Sequence, residues 1–199
     1  MFTGIIRGIG RIADIVTASP RRLAIETGGL STAGWRVGDS VSVSGVCLTV
    51  VALAGRRFDA ELSGETIERT TLGRLAPGAR VNLEPSLAAA DPMGGHLVTG
   101  HVDGIARVGE VAEVGGTLCA SIAAPAGLSR FIARKGSVTL DGVSLTIGEV
   151  AGTVFRIDLV PQTRSATTLG SLAQGQALNL EIDLVARYLD RLLDARGGT

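Results

Sequence analysis

Short runs of alternating apolar and polar residues run through most of the chain. Val41, Val43 and Val46 alternate with Ser42 and Ser44 around a turn at Gly45, and the pattern resumes in Leu48–Thr49–Val50. A period of two marks a strand, because successive side chains point to opposite faces. Gly8, Gly28, Gly29, Gly38, Gly55, Gly64, Gly73 and Gly78 punctuate the first half. Turn residues at such short intervals, roughly every 8–15 positions, predict an antiparallel barrel or sandwich. After Asp183 the period lengthens. Leu184, Val185, Tyr188, Leu189, Leu192 and Leu193 share one stripe at helical spacing, and Gly197 and Gly198 end it. Such a helix either packs on its own barrel or meets copies of itself in an oligomer, and the pattern leaves both open.

The strand pattern occurs twice. MFTGIIRGIGRI (1–12) aligns with LVTGHVDGIARV (97–108) at an offset of 96, and SVSVSGVCLTV (40–50) aligns with SVTLDGVSLTI (137–147) at 97. ETIERTTLGRLAPGARVNLE (65–84) aligns with QTRSATTLGSLAQGQALNLE (162–181), also at 97. In that block Thr66, Thr70, Thr71, Leu72, Gly73, Leu75, Ala76, Gly78, Asn82, Leu83 and Glu84 recur identically, so the halves are a duplication. LEPSLAAADPMGG (83–95), with two prolines and small residues, reads as the linker. The expected units are residues 1–96, residues 97–183, and a C-terminal helix and tail over 184–199.

Composition narrows the function classes. Charges balance to zero at neutral pH and aromatics make up 3% of the chain, which argues against nucleic acid or an anionic membrane as partner. Arg7, Arg11 and Asp14 interrupt the apolar N-terminus, and no later stretch approaches a membrane span. Cys47 and Cys119 are too few for a disulfide framework, so a soluble cytoplasmic protein with reduced thiols is expected. Eighteen arginines stand against one lysine, Lys135, and both histidines, His96 and His101, fall within GGHLVTGHVDG.

The opening MFTGII, the pair GVCLTV and GVSLTI, the segment GGHLVTGHVDG and the two TTLG segments, in this order, resemble the riboflavin synthase family over essentially the whole chain. The resemblance implies a mostly β fold: two tandem six-stranded antiparallel Greek-key barrels followed by a C-terminal α-helix. It implies a homotrimer held largely by that helix, with association with lumazine synthase as a further partnership to test. The reaction implied is dismutation of two 6,7-dimethyl-8-(1-D-ribityl)lumazine molecules by four-carbon transfer. Its products are riboflavin and 5-amino-6-(D-ribitylamino)uracil, with neither a metal nor an organic cofactor. A duplicated unit suits that chemistry, since two copies of one substrate must play different roles. The halves diverge where Ile5 aligns with His101, Gly38 with Lys135, Cys47 with Ser144 and Glu65 with Gln162.

Candidate residues follow from the divergence and the resemblance together. His101 titrates near neutrality and replaces a plain Ile, so it is a candidate proton carrier; His96 reads as structural. Ser144 and Cys47 each follow a turn by two residues, and either can add to carbon 7 of a lumazine or position a water that does. Ser144 with His101 ranks above Cys47. Asp183, at a strand-to-helix junction, is expected to cap the helix, and the resemblance adds it to a proton relay with Ser144 and His101. Lys135 is implied as a contact to the ribityl chain or pyrimidine carbonyls, and Phe2 as a ring packed over the ligand. The resemblance extends substrate binding to Gly4, Ile5, Ile6, Leu48, Thr49, Glu61, Leu62, Ser63, Gly64, Glu65 and Thr66 in the first half. In the second half it adds Gly100, Val102, Leu145, Thr146, Asp158, Leu159, Val160, Pro161, Gln162 and Thr163. Gly64 and Gln162 depart from what the family usually carries at the pocket edge.

Three other functions compete. A non-catalytic lumazine or flavin carrier of the same fold loses the His of GHVDG and the Cys of GVCLTV, and both stand here. A flavin-dependent reductase needs a Gly-rich nucleotide-binding turn between strand and helix, and the chain has none. A purely structural repeat has no reason to vary its halves at these positions.

Overall fold

The computed structural model describes residues 1–197; Gly198, half of the expected helix end, and Thr199 lie outside the described residues. The first half folds into β1 (Gly8–Val16), β2 (Arg21–Glu26), β3 (Ser40–Val43), β4 (Val46–Ala54), β5 (Arg57–Leu62) and β6 (Arg80–Pro85). These six close into a barrel in the order β1-β2-β5-β4-β3-β6, with β6 pairing back onto β1. Between β5 and β6 lies one helical turn, α1 (Gly64–Arg69), followed by a 3-10 turn at Thr71–Arg74. Ser63 caps α1 by accepting from the Thr66 N–H, which supplies a partner to one of the helix's free donors. Leu83, Glu84 and Pro85, read from sequence as linker, belong to β6. Leu83 pairs with Gly8 on one side and Val43 on the other, and only the residues after Pro85 connect the halves.

The second half repeats the arrangement with β7 (Gly104–Val114), β8 (Thr117–Ala123), β9 (Ser137–Leu140), β10 (Val143–Thr146), β11 (Val150–Ala151), β12 (Val154–Leu159) and β13 (Ala177–Ile182). α2 (Pro161–Ala166) and a 3-10 turn at Thr168–Ser171 stand at the repeat positions of α1 and its turn. Among the described residues this sheet has seven strands in the order β10-β9-β13-β7-β8-β12-β11, a curled half-barrel in place of the second six-stranded barrel expected. The cause is local. β4 carries a bulge between Val50 and Ala52; the same repeat position holds Ile147–Gly148–Glu149, where the strand divides into β10 and β11. The seam stays joined by Gly148 N–H to Arg156 O (2.7 Å) and Arg156 N–H to Glu149 O (2.9 Å).

Each half has its own core, built from matching positions. Val41, Val43, Leu48, Phe58, Leu62, Leu72 and Leu83 fill the first, and Val138, Leu140, Leu145, Phe155, Leu159, Leu169 and Leu180 the second. Polar side chains bond the halves reciprocally. Asn82 donates to Asp141 O (3.0 Å) and accepts from Thr168 N–H (2.8 Å). Asn179 donates to Ser44 O and accepts from Thr71 N–H, both at 2.7 Å. Both amides are buried and each makes the bonds a buried amide needs.

The first residues of each half cross to the other. Phe2 and Val98, equivalent repeat positions, pair with each other as an antiparallel bridge through reciprocal N–H···O bonds of 2.8 and 3.1 Å. Beyond the bridge Ile6 packs on the second core, and Val102 packs on the first. α3 (Leu184–Gly197) docks through its charged side. Arg187 grips Asp103 with both guanidinium nitrogens at 2.8 Å, and Arg130 pairs with Asp190 and Asp194. Its apolar stripe is left outward, with Val185, Tyr188, Leu189, Leu192 and Leu193 each more than half exposed.

Candidate active site

The crossing segments build two related junctions, the first of which borders a cleft. In each, a Thr-Gly turn from one half lies against the strand start of the other. Gly100 O accepts from Cys47 N–H, and Gly4 O accepts from Ser144 N–H, both at 2.8 Å. Gly100 (φ +78°) and Gly4 (φ +76°) lie in the left-handed region, and a Cβ on either would stand 2.7 Å from Cys47 Cβ or 2.6 Å from Ser144 Cβ. Glycine is needed there for backbone conformation and for close approach alike.

Behind each turn sits a buried glutamate. Glu84 accepts from Thr3 N–H and Thr3 Oγ1, both at 2.7 Å, and from Gly4 N–H at 3.0 Å. Glu181 accepts from Thr99 N–H (2.8 Å), Thr99 Oγ1 (2.6 Å) and Gly100 N–H (2.9 Å). Burial pushes both carboxyls above the usual carboxylate range, and these hydrogen bonds oppose the rise. Arg7 further favours the charged form of Glu84, whereas Asp103 opposes that of Glu181.

The cleft at the first barrel has a volume of about 310 Å³ and is lined by Val46, Cys47, Glu65, Thr66, Arg69, Thr70, Gly100, His101 and Val102. That is enough for one small heterocycle, since small-molecule sites run from roughly 300 to 1,000 Å³. His101 is exposed at its rim. Six of the residues expected to bind substrate meet here: Cys47, Glu65, Thr66, Gly100, His101 and Val102. Gly64 and Ser63 start the helix on its wall, and Glu65 also pairs with Arg69 at 3.1 Å.

The junction at the second half differs in chemistry. His96 Nδ1 lies 2.8 Å from Ser144 Oγ, and His96 N–H donates to Thr3 O at 3.1 Å. Burial lowers the His96 pKa, and the charge of Asp183 partly restores it. The imidazole is therefore mainly neutral at pH 7 and can accept the Ser144 proton. Asp183 starts α3 as expected, its carboxylate accepting from Val185 N–H (2.9 Å), and its field reaches His96 where a relay with Ser144 and His101 was expected.

This arrangement redraws the expected relay. Ser144 is hydrogen-bonded to His96, which sequence reasoning took as structural, and His101 sits with Cys47 instead. The offset of 96 maps His96 to a position before Met1, so comparison of the repeats could not mark it. Only the crossing of the segments brings it to Ser144.

The other expected contacts fall into three groups. Phe2 is 0% exposed and belongs to the paired bridge, not to a cleft wall, because its backbone is locked to Val98. Leu48, Leu62, Leu145 and Leu159 are barrel core, while Thr49 and Thr146 alternate with it and face out. Ile5 and Ile6 follow Gly4 toward the second half; Pro161, Gln162 and Thr163 form the first turn of α2, after its cap Val160. Glu61 pairs with Arg22 (2.8 Å) and Asp158 with Arg156 (2.7 Å) on the strands leading to α1 and α2. Lys135 is exposed at φ +66°, at the repeat position of Gly38 (φ +100°), where its N–H closes a turn onto Ile147 O at 2.8 Å.

Comparison with known proteins agrees with the duplicated geometry. The family described as Lumazine binding domain matches residues 3–86 and again 99–183. A riboflavin synthase of Photobacterium phosphoreum is 40% identical over 97% of this chain and 89% of its own length. One from Mycobacterium tuberculosis (strain ATCC 25618 / H37Rv) is 42% identical over 99% of this chain and 100% of its own. Among solved structures, LumP complexed with 6,7-dimethyl-8-(1'-D-ribityl) lumazine superposes with a TM-score of 0.80 at 27% identity, covering 92% of this chain and 99% of that one. LumP complexed with riboflavin gives a TM-score of 0.82 at 28% identity with the same coverage. With both halves matched and full-length relatives at this identity, the chain belongs to the riboflavin synthase family of duplicated lumazine-binding domains.

Proposed function

We infer that the protein is a riboflavin synthase. It moves a four-carbon unit from one 6,7-dimethyl-8-(1-D-ribityl)lumazine to another, forming riboflavin and 5-amino-6-(D-ribitylamino)uracil. The observation that carries this reading is a pair of junctions between the halves, alike in scaffold and unlike in reactive groups. Cys47 and His101 stand in one, and Ser144, His96 and Asp183 in the other. Two identical substrates need two similar sites, and the unlike groups give their rings different fates.

The chemistry asks little covalent work of the protein. The methyl on carbon 7 of a lumazine is acidic because its anion delocalises into the ring. A base removes that proton from one molecule while a nucleophile primes the other. Neutral His96 beside the Ser144 hydroxyl is suited to proton transfer, a contribution of roughly 10²–10⁴-fold. Holding the two rings in register supplies up to ~7–11 kcal/mol. The residue ranges 1–96 and 97–183 are the two lumazine-binding units of this reading, with 184–199 as the oligomerising segment.

The family resemblance pairs the N-terminal barrel of one subunit with the C-terminal barrel of the next in a homotrimer. The outward stripe of α3 supports that assembly, because five large apolar side chains left in water favour association. Among the described residues no helix is long and apolar enough to cross a membrane; residence in the cytoplasm and contact with lumazine synthase complete the proposal. The test is incubation of purified protein with the lumazine alone, without added cofactor. One riboflavin formed for every two lumazines consumed supports the reading. Stoichiometric binding without turnover replaces it with a carrier.

A further inference from the structure

We propose that Glu84 and Glu181 are positioning residues that act across the boundary between the halves, each holding the turn that packs on the other half's reactive residue. Glu84 stands on β6 of the first barrel, yet the turn it holds, Thr3–Gly4, lies on Ser144 of the second. Glu181 stands on β13 of the second half, and its turn, Thr99–Gly100, lies on Cys47 of the first. The inference rests on the two junctions being the ligand sites of the proposed function.

Each carboxylate is nearly solvent-free, at 4% and 2% exposure, and is satisfied by three donors from two consecutive residues. Only an acceptor-only group meets all three. A glutamine of the same shape keeps one oxygen for the threonine but turns its NH₂ toward the glycine N–H, setting donor against donor. The bond that would fail first is therefore the one to Gly4 or Gly100, whose carbonyl carries the contact across the boundary. The threonine hydroxyls extend the grip one residue further, accepting from Ile5 N–H at 3.2 Å and from His101 N–H at 3.3 Å. The same framework thus fixes where His101 leaves the backbone.

A glutamate that merely stabilises its own strand disturbs its own half. The crossing predicts the reverse, and each junction has a reporter that does not depend on turnover. For the first junction the reporter is alkylation of Cys47 by iodoacetamide, read in a Cys119→Ser background. For the second it is the His96 titration midpoint, read by NMR. Glu181→Gln is expected to change the Cys47 rate several-fold with the His96 midpoint nearly unmoved; Glu84→Gln is expected to raise that midpoint, as the loosened junction admits water and relieves the desolvation that lowers it, and to leave Cys47 alone. Thr99→Val and Thr3→Val, which keep charge and shape while removing the two bonds of one hydroxyl and sparing both backbone bonds to the glutamate, should reproduce the same crossed pattern at smaller amplitude and stand in if either glutamine variant fails to fold. Effects confined to the half that carries the substitution, or no effect on either reporter, would overturn the proposal. Absence of riboflavin formation by the parent protein would instead remove the proposed function and leave these reporters readable.

Discussion

The two halves share a core almost position for position and differ where each meets a ligand or a neighbour. In the first half, a closed barrel presents a thiol, a glutamate–arginine pair on α1, and an exposed histidine lent by the second half. In the second, a seamed sheet presents a serine hydroxyl bonded to a half-buried histidine, under the field of an aspartate that also starts α3. Arg7 and Asp103 occupy the same repeat position, and only Asp103 is gripped by Arg187 of α3. Duplication supplies a second scaffold at once, and the chemistry then diverges through a few positions outside the cores.

The sharpest way to break this comparison is to make the reactive groups alike. Ser144→Ala and His96→Ala should each lower kcat for riboflavin formation by roughly 10²-fold or more, with less change in KM, if the second junction moves the proton. Cys47→Ser should cost less, and equal losses at all three would erase the distinction. On the acid side, protonation of His96 removes the acceptor for Ser144. Because its pKa is lowered, the neutral form should persist below pH 6.5, and kcat should fall only beneath that value.

A second contrast lies at the boundary between the halves, where Ser44 of one turn is matched by Asp141 of the other, both at positive φ. Burial pushes the Asp141 carboxyl up to about 7 from an ordinary 3.8, against a hydrogen bond from Asn179 N–H. A carboxyl raised on folding favours the fold while protonated, so stability declines as pH rises from about 4 through about 7. Asp141→Asn keeps an acceptor for Asn179 and tolerates the left-handed backbone. Urea unfolding should show it more stable than the parent by up to about 4 kcal/mol at pH 8, with the difference vanishing near pH 4. A constant difference across that range would place the cause elsewhere.

Gly100→Ala and Gly4→Ala should each destabilise by about 1–3 kcal/mol in the same assay, since both strain the backbone and meet a facing Cβ. Similar costs at the two positions would confirm that the scaffold is symmetric even though the chemistry is not. The smallest effect is expected at the α3 anchor. Arg187→Ala loses a partly exposed ion pair, worth about 1 kcal/mol or less. It should weaken self-association on dilution, measured by sedimentation, more than it lowers the unfolding midpoint.

Much of this was readable from residue order. The alternation around Gly45, the TTLG segments and the identical Asn82–Leu83–Glu84 and Asn179–Leu180–Glu181 give the duplication, the strands and the paired cores. The stripe from Leu184 to Leu193 gives the helix, and the structure settles that its apolar side is not spent on its own barrel. Three things were not readable. The seam at Gly148 depends on how wide a bulge opens, which a repeat alignment of Val50–Ala52 with Ile147–Glu149 does not encode. Phe2 looked like a ligand-stacking ring because its burial against Val98 is a contact between residues 96 apart. His96 was passed over for the same reason, since its role exists only once the segments have crossed.

The central claim is that one scaffold, used twice, gives two unequal ligand sites. Equilibrium titration with riboflavin, followed by fluorescence on the parent protein and on Ser144→Ala, tests it most directly. Two sites per chain of different affinity are expected, with the substitution weakening one and sparing the other. Two equal sites, or a single site weakened as a whole, would contradict it.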